Sequence, residues 1–252
     1  MTPKESAMKT ALITGAGRGE GLGFAVATQL SELGYHVILT ARDLARVEPL
    51  AATLGNATAL RLDLAQPGTM ASVADHVTRT FGHLDVLVNN ASDVVDFAVL
   101  SALDADISAV RSALDIDVLG PWQLVQTLLP MLKKASAARV VNVSSVSASQ
   151  IATGLDLGAS LRAPAHSFAK HTLNVLTEVL ARALADTPIL VNSVDPGATA
   201  THPERGDDAD DRSPADSARG VVWAATLPPG GPTGGFFRDG LPLTPPSAIP
   251  LA

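Results

Sequence analysis

Six short apolar runs alternate with stretches of helical periodicity along this chain, and that alternation limits the fold more than any other feature. The runs lie at 9–14, 36–41, 57–62, 84–89, 139–144 and 189–194. Apolar residues recur at helical spacing between them, as in Phe24, Ala27, Leu30 and Leu33 after the first run. Further helices are expected over 44–54, 69–81, 104–131 and 166–185. Strands that alternate with helices imply right-handed parallel β-α-β units. The expectation is an α/β fold, a single doubly wound parallel sheet with helices on both faces. Neither an internal repeat nor a linker interrupts the 252 residues, so one domain with a core over about 9–240 is expected.

Composition excludes several function classes. A net charge of −7 argues against nucleic acid and anionic membranes as partners. There are no cysteines, so disulfides, thiolate metal sites and a cysteine nucleophile are absent. No histidine pair has metal-ligand spacing with a third ligand nearby, and no metal is expected. Residues 1–8 carry no apolar run, and no stretch approaches the ~20 apolar residues of a membrane span. A soluble, cytoplasmic protein is the expectation. The preference for Arg over Lys and the richness in Ala read as a GC-rich bacterial genome.

Between the first strand and the first helix stand Gly15, Gly17, Gly19, Gly21 and Gly23. Glycines let backbone approach a pyrophosphate, and the free N–H groups of a helix N-terminus face the anion. A Rossmann-type nucleotide site is therefore expected here. Farther along, Asn89-Asn90-Ala91, Val140 to Ser145, Lys170 and Asp195-Pro196-Gly197 follow in order.

With Thr14-Gly15 and Gly21-Leu22-Gly23, these motifs resemble the short-chain dehydrogenase/reductase family over about residues 9–240. Thr233 to Gly240 resembles its carbonyl-reductase-like branch. The resemblance implies a nicotinamide cofactor, with Gly15, Arg18, Gly21, Leu22 and Gly23 along the pyrophosphate. Asp63 would lie by adenine and Asn89 and Ala91 along the ribose, and Leu64, Lys170, Pro196 and Gly197 would also contact the cofactor. Five residues, Ala16 to Glu20, stand where the family usually has three, which keeps the helix in register and brings the Glu20 carboxylate near the pyrophosphate. At the end of the second strand Ala41 takes the place of the acid that would hold a ribose 2′-hydroxyl, and Arg42 follows. A guanidinium pairs with a 2′-phosphate, so NADP(H) is expected over NAD(H).

The resemblance also implies a catalytic Ser, Tyr, Lys and supporting Asn. Ser145 and Lys170 match. His166 stands at the tyrosine position, one helical turn before Lys170, and Asp117 stands at the Asn position. The only tyrosine, Tyr35, is far upstream. Ser92 stands where a glycine often follows Asn-Asn-Ala. The expected reaction is NADP(H)-dependent reduction of a small-molecule carbonyl, with His166 as the proton donor. Lys170 would favour a neutral ring, and Asp117 paired with Lys170 would offset this. Two alternatives stand beside it: non-redox acid–base chemistry (dehydration, isomerisation or cyclisation), or a catalytically inactive cofactor-binding scaffold.

Residues 197–217, with Asp207, Asp208, Asp210 and Asp211, read as a polar loop that is either a solvated surface or a lid over the crevice. Extra chain is expected to loop out within Ile151–Pro164. Past Gly240 the prolines forbid helix and imply an extended tail. The resemblance further implies a homodimer or homotetramer through the two long helices, and a small-molecule substrate.

Overall fold

A computed structural model describes residues 8–93, 96–152, 162–202 and 210–243. In chain order its elements are β1 (Thr10–Ile13), α1 (Leu22–Glu32), β2 (His36–Ala41), α2 (Leu44–Ala52), β3 (Ala57–Arg61), α3 (Pro67–Thr80) and β4 (Val86–Asn89). Then follow α4 (Ile107–Leu114), α5 (Gly120–Leu132), β5 (Arg139–Val143), α6 (Ser149–Ala152), α7 (Pro164–Ala183), β6 (Leu190–Val194), α8 (Pro214–Ala225), β7 (Phe236–Arg238) and β8 (Leu241–Pro242). The sheet order is β3-β2-β1-β4-β5-β6-β7-β8. Strands β1 to β7 pair in parallel, and β8 closes the edge antiparallel to β7.

Alternate residues of each strand serve opposite faces, as a period of two requires. Leu12, Ile38, Leu87, Val140 and Val191 join the core shared with α3, α5 and α7. Ala11, Ile13, Val37, Leu39, Val88, Val141 and Val194 join the core on the other face, with α1, α2 and α8. Because both faces are covered, the central strands are apolar throughout, the pattern that parallel sheets need. Each fully buried Val or Leu contributes about 1.5–3 kcal/mol. The chain order reverses between β1 and β4, and the crevice beyond the C-terminal ends of these two strands is where open α/β sheets bind ligands.

The structure departs from the sequence expectation in three places. The helix expected over 104–131 is not regular. A π-helical turn, Asp115–Leu119, separates α4 from α5. Pro121 has no N–H for the ladder, and a Cβ on Gly120 would come within 2.8 Å of Leu64 Cβ. Second, part of the stretch read as a polar loop is α8, which starts at Pro214 with Ser213 accepting from Asp216 N. The signal was present, since Ser-Pro-Ala-Asp combines an N-cap hydroxyl, a proline at the first helical position and an acid in the first turn. Third, β7 is a strand that its two phenylalanines alone did not reveal.

The ends of the proposed lid are tied together by a bridge between Thr199 and Arg212, with Arg212 N bonded to Ala198 O at 2.9 Å. Residues 203–209 of that segment, with Asp207 and Asp208, lie outside the described residues, as do 153–161 of the stretch expected to loop out. Of the tail past Gly240, Leu241 and Pro242 run extended as β8. Among the described residues no helix is long and apolar enough to cross a membrane.

Candidate active site

The glycine turn rises from β1 at the switch point. Ala16 N donates to Thr40 O at 2.9 Å, tying it to β2, and Gly21 N donates to Arg18 O at 3.1 Å, closing a tight turn before α1. The extra residues are absorbed in this turn, and α1 starts at Leu22. At two positions only glycine fits. A Cβ on Gly15 would lie 2.7 Å from Ala91 Cα, and its φ is +69°. A Cβ on Gly23 would lie 2.6 Å from Asn90 Nδ2 and 2.9 Å from Gly15 O. Gly23 is thus the glycine that lets helix and turn approach.

Helix α1 has no side-chain cap from Gly21 and no acid in its first turn. Its leading N–H groups keep their donor capacity for an anion. Asn90, quoted in the sequence only as part of its motif, locks the turn: its Nδ2 donates to Thr14 O at 2.8 Å and Gly15 O at 3.2 Å. Thr14 Oγ1 accepts from the backbone of Asn90 and Ala91, both at 2.9 Å. The remaining candidate residues are spread around this turn. Glu20 and Arg42 are exposed. The side chain of Arg46, another residue the sequence did not single out, lies against Gly17, with its Cβ 3.4 Å from where a Gly17 Cβ would be.

Other candidate contacts have structural work of their own. Asp63 accepts from Ala65 N at 3.1 Å and Gln66 Nε2 at 2.9 Å, shaping the turn into α3. Leu64 is buried against Gly120. Asn89 is buried, with Nδ2 donating to Asn142 Oδ1 at 2.8 Å, and Asn142 in turn donates to Thr177 at 2.8 Å. The Asn89 side chain therefore braces the sheet against α7. Gly197 follows β6 with φ +78°, its N–H on Asp195 Oδ1 at 3.1 Å, while Pro196 O accepts from Arg212 Nη1 at 3.2 Å.

Asp117, His166 and Lys170 come together at α7, and Ser145 lies on the turn that packs against that helix. Ser145 caps a short turn, Val146–Ala148, that follows β5 and packs against α7. Its Oγ accepts from Ser147 N at 3.2 Å, which leaves the hydroxyl proton for another oxygen. His166 and Lys170 share one face of α7 at a spacing of one turn. Lys170 Nζ donates to Val143 O at 2.9 Å and pairs with Asp117 Oδ2 at 3.2 Å. Asp117 also accepts from Ser92 Oγ at 2.8 Å and Asp93 N at 3.2 Å. The π-helical turn puts Asp117 there, and such bulges recur at functional sites. Ser92, noted in the sequence only as a replaced glycine, is one of its ligands.

His166 is 7% exposed, and its Nδ1 is buried with no hydrogen-bond partner among the described residues. Burial, and then the Lys170 ammonium, lower its pKa from 6.5 to about 4; Asp117 and Asp96 oppose this without prevailing. The expectation that Asp117 would offset Lys170 is thus met in direction and outweighed in size, because desolvation is the larger cause. At neutral pH the ring is uncharged. Asp96, which sequence reasoning missed, is 5% exposed and accepts from Ala165 N at 2.6 Å. A bond across 69 residues has no local sequence signal.

Comparison with known proteins bears on the family and the fold. An uncharacterized oxidoreductase of Staphylococcus epidermidis is 28% identical over 225 residues, covering 87% of this chain and 92% of its own. One of Staphylococcus aureus is 27% identical, with the same coverage. Among solved structures, salutaridine reductase from Papaver somniferum superposes with a TM-score of 0.74 at 25% identity, covering 92% of this chain and 99% of its own. The NADPH-bound carbonyl reductase from chicken fatty liver superposes with a TM-score of 0.79 at 23% identity, covering 94% and 99%; at that identity it bears on the fold alone. The family model of the short chain dehydrogenases matches residues 9–211. With the doubly wound sheet, the glycine turn at its switch point and α7 beside the crevice all in place, the chain belongs to the short chain dehydrogenase family.

Proposed function

We propose that the protein is an NADP(H)-dependent oxidoreductase that interconverts a small-molecule carbonyl and its alcohol, with His166 standing where the family's tyrosine stands. The observation that carries this reading is the placement of His166 one turn before Lys170 on α7, where the buried Asp117–Lys170 pair bears on the charge of its ring. Gly15, Gly21, Gly23 and the first amides of α1 would hold the pyrophosphate, since no side chain caps that helix. Arg42, exposed at the end of β2, and Arg46 over Gly17 favour a 2′-phosphate, hence NADP(H).

The cofactor would supply or accept the hydride. Ser145 would donate a hydrogen bond to the substrate oxygen. His166 would transfer the single proton that accompanies the hydride, giving it to the forming alkoxide in reduction and taking it from the alcohol in oxidation. Because burial holds the ring neutral near pH 7, the form present there is the one that takes a proton.

That same observation supports a second reading: a neutral buried imidazole is also a suitable base for a dehydration, isomerisation or cyclisation. Consumption of cofactor separates the two. The purified protein is titrated with NADPH and NADH by fluorescence, then incubated with a panel of ketones and aldehydes while nicotinamide absorbance is followed. Tighter NADPH binding and stoichiometric oxidation are expected. NADPH binding without consumption in either direction would move the assignment to non-redox chemistry, and tighter NADH would overturn the cofactor choice.

A further inference from the structure

Two residues adjacent in sequence, Asp96 and Phe97, both bear on His166. Helix α7 opens without a cap of its own: Ala163 has φ 48° and makes no side-chain cap bond. Pro164, the first helical residue, has no N–H to satisfy. The donors that follow are answered from far upstream. Asp96 Oδ2 accepts from Ala165 N at 2.6 Å, and Oδ1 from His166 N at 3.4 Å. Val99 O accepts from Ala163 N at 2.9 Å. The Phe97 ring lies against the imidazole, with centroids 5.8 Å apart. The Asp96 carboxylate, 5% exposed, is held by helix N–H groups and the positive end of the α7 dipole.

We propose that Asp96 and Phe97 are positioning residues for His166. Asp96 fixes the turn of helix that carries the ring, and Phe97 sets the orientation of the ring itself. The proposal deepens the proposed function and rests on its reading that His166 moves the proton. The same segment also faces outward. Phe97 is 62% exposed, and Asp96 and Val99 line an open cleft of about 380 Å³ with Asp104, Ser108 and Ser112. A molecule that enters this cleft meets the residues that hold the imidazole.

The charged groups that face His166 are Lys170 from α7, Asp117 from the π-helical turn and Asp96 from the segment after β4. Asp96→Asn keeps an acceptor for Ala165 N–H and removes one of the two charges that favour a protonated ring. Phe97→Ala keeps the charge and removes the ring contact, and Phe97→Leu restores its bulk.

The test uses protein labelled with ¹⁵N-histidine and free of cofactor, the His166 signals being those lost in His166→Asn. The Asp96→Asn variant is expected to move the His166 titration to lower pH. Phe97→Ala is expected to shift the ring nitrogens, and Phe97→Leu to return them toward the parent. In turnover assays both Asp96→Asn and Phe97→Ala should lower kcat about tenfold with little change in cofactor KM. A His166 titration unmoved in Asp96→Asn, with parental ring signals in Phe97→Ala, overturns the proposal. The expected spectral shifts in a protein that never consumes NADPH support the positioning and sink the redox reading instead.

Discussion

Lys170 and Asp117 form a buried ion pair, Nζ to Oδ2 at 3.2 Å, with side chains 4% and 0% exposed. Ser92 Oγ and Asp93 N also donate to the carboxylate, and Val143 O accepts a hydrogen bond from the lysine. Breaking such a pair strands a charge in low dielectric. Asp117→Ala is therefore expected to cost about 3–5 kcal/mol, measured by urea unfolding. Asp117→Asn, which keeps an oxygen for Ser92 and Lys170, should cost less. Equal stability of Asp117→Ala and the parent would show that the pair is not buried in solution.

His166 gives stability a defined pH dependence. Its folded pKa of about 4 lies below the ordinary 6.5, so between these values the unfolded chain binds more protons. The contribution of the neutral ring is fully present above about pH 6.5 and is lost as pH falls toward 4, to a limit of about 3 kcal/mol. Urea midpoints of parent and His166→Asn should therefore converge as pH is lowered through this window. Parallel curves would contradict a buried neutral imidazole.

The same pKa gives opposite pH dependences to the two directions of the proposed reaction. Above about 4, the protonated fraction of His166 falls about tenfold per pH unit. Single-turnover carbonyl reduction is expected to slow as pH rises from 5 to 8, whereas alcohol oxidation, which needs the neutral ring, keeps its base. His166→Tyr should flatten the reductive profile. A reductive rate independent of pH in the parent would remove His166 from proton transfer.

Arg42 is expected to distinguish the two nicotinamide cofactors. Its loss removes a charge-assisted contact to the 2′-phosphate, and such hydrogen bonds contribute about 1.5–3 kcal/mol. Arg42→Ala should weaken NADPH about ten- to a hundredfold and leave NADH unchanged, read by calorimetry. Equal loss for both cofactors would mean that Arg42 acts on the turn and not on the phosphate.

Helix α7 keeps Phe168, Val175 and Val179 about half exposed at helical spacing. A homodimer or homotetramer through this face is the proposed assembly. Val175→Lys with Val179→Lys is expected to give a monomer by light scattering while the circular dichroism stays native. An oligomer that survives both changes would place the interface elsewhere.

Much of the site could be read along the chain because its parts are local. Gly15 and Gly23 are required by backbone approach within one strand-turn-helix unit, and His166 and Lys170 share a face because they lie one turn apart. The π-helical turn was hidden, although its causes, Gly120 and Pro121, were in view. A change of helical register at Asp117 is chosen by contacts with Leu64, Ser92 and Lys170, which are distant in sequence.

The sequence by itself determined the parallel α/β architecture, the glycine turn, the family and the identity of the catalytic candidates, since periodicity and ordered motifs are properties of neighbours along a chain. Only the tertiary structure decided their electrostatics. Burial of His166, the closure of Asp117 on Lys170 and the capping of α7 by Asp96 join residues up to 70 positions apart. Desolvation depends on what packs around a group, so the neutral state of the imidazole is set by the fold.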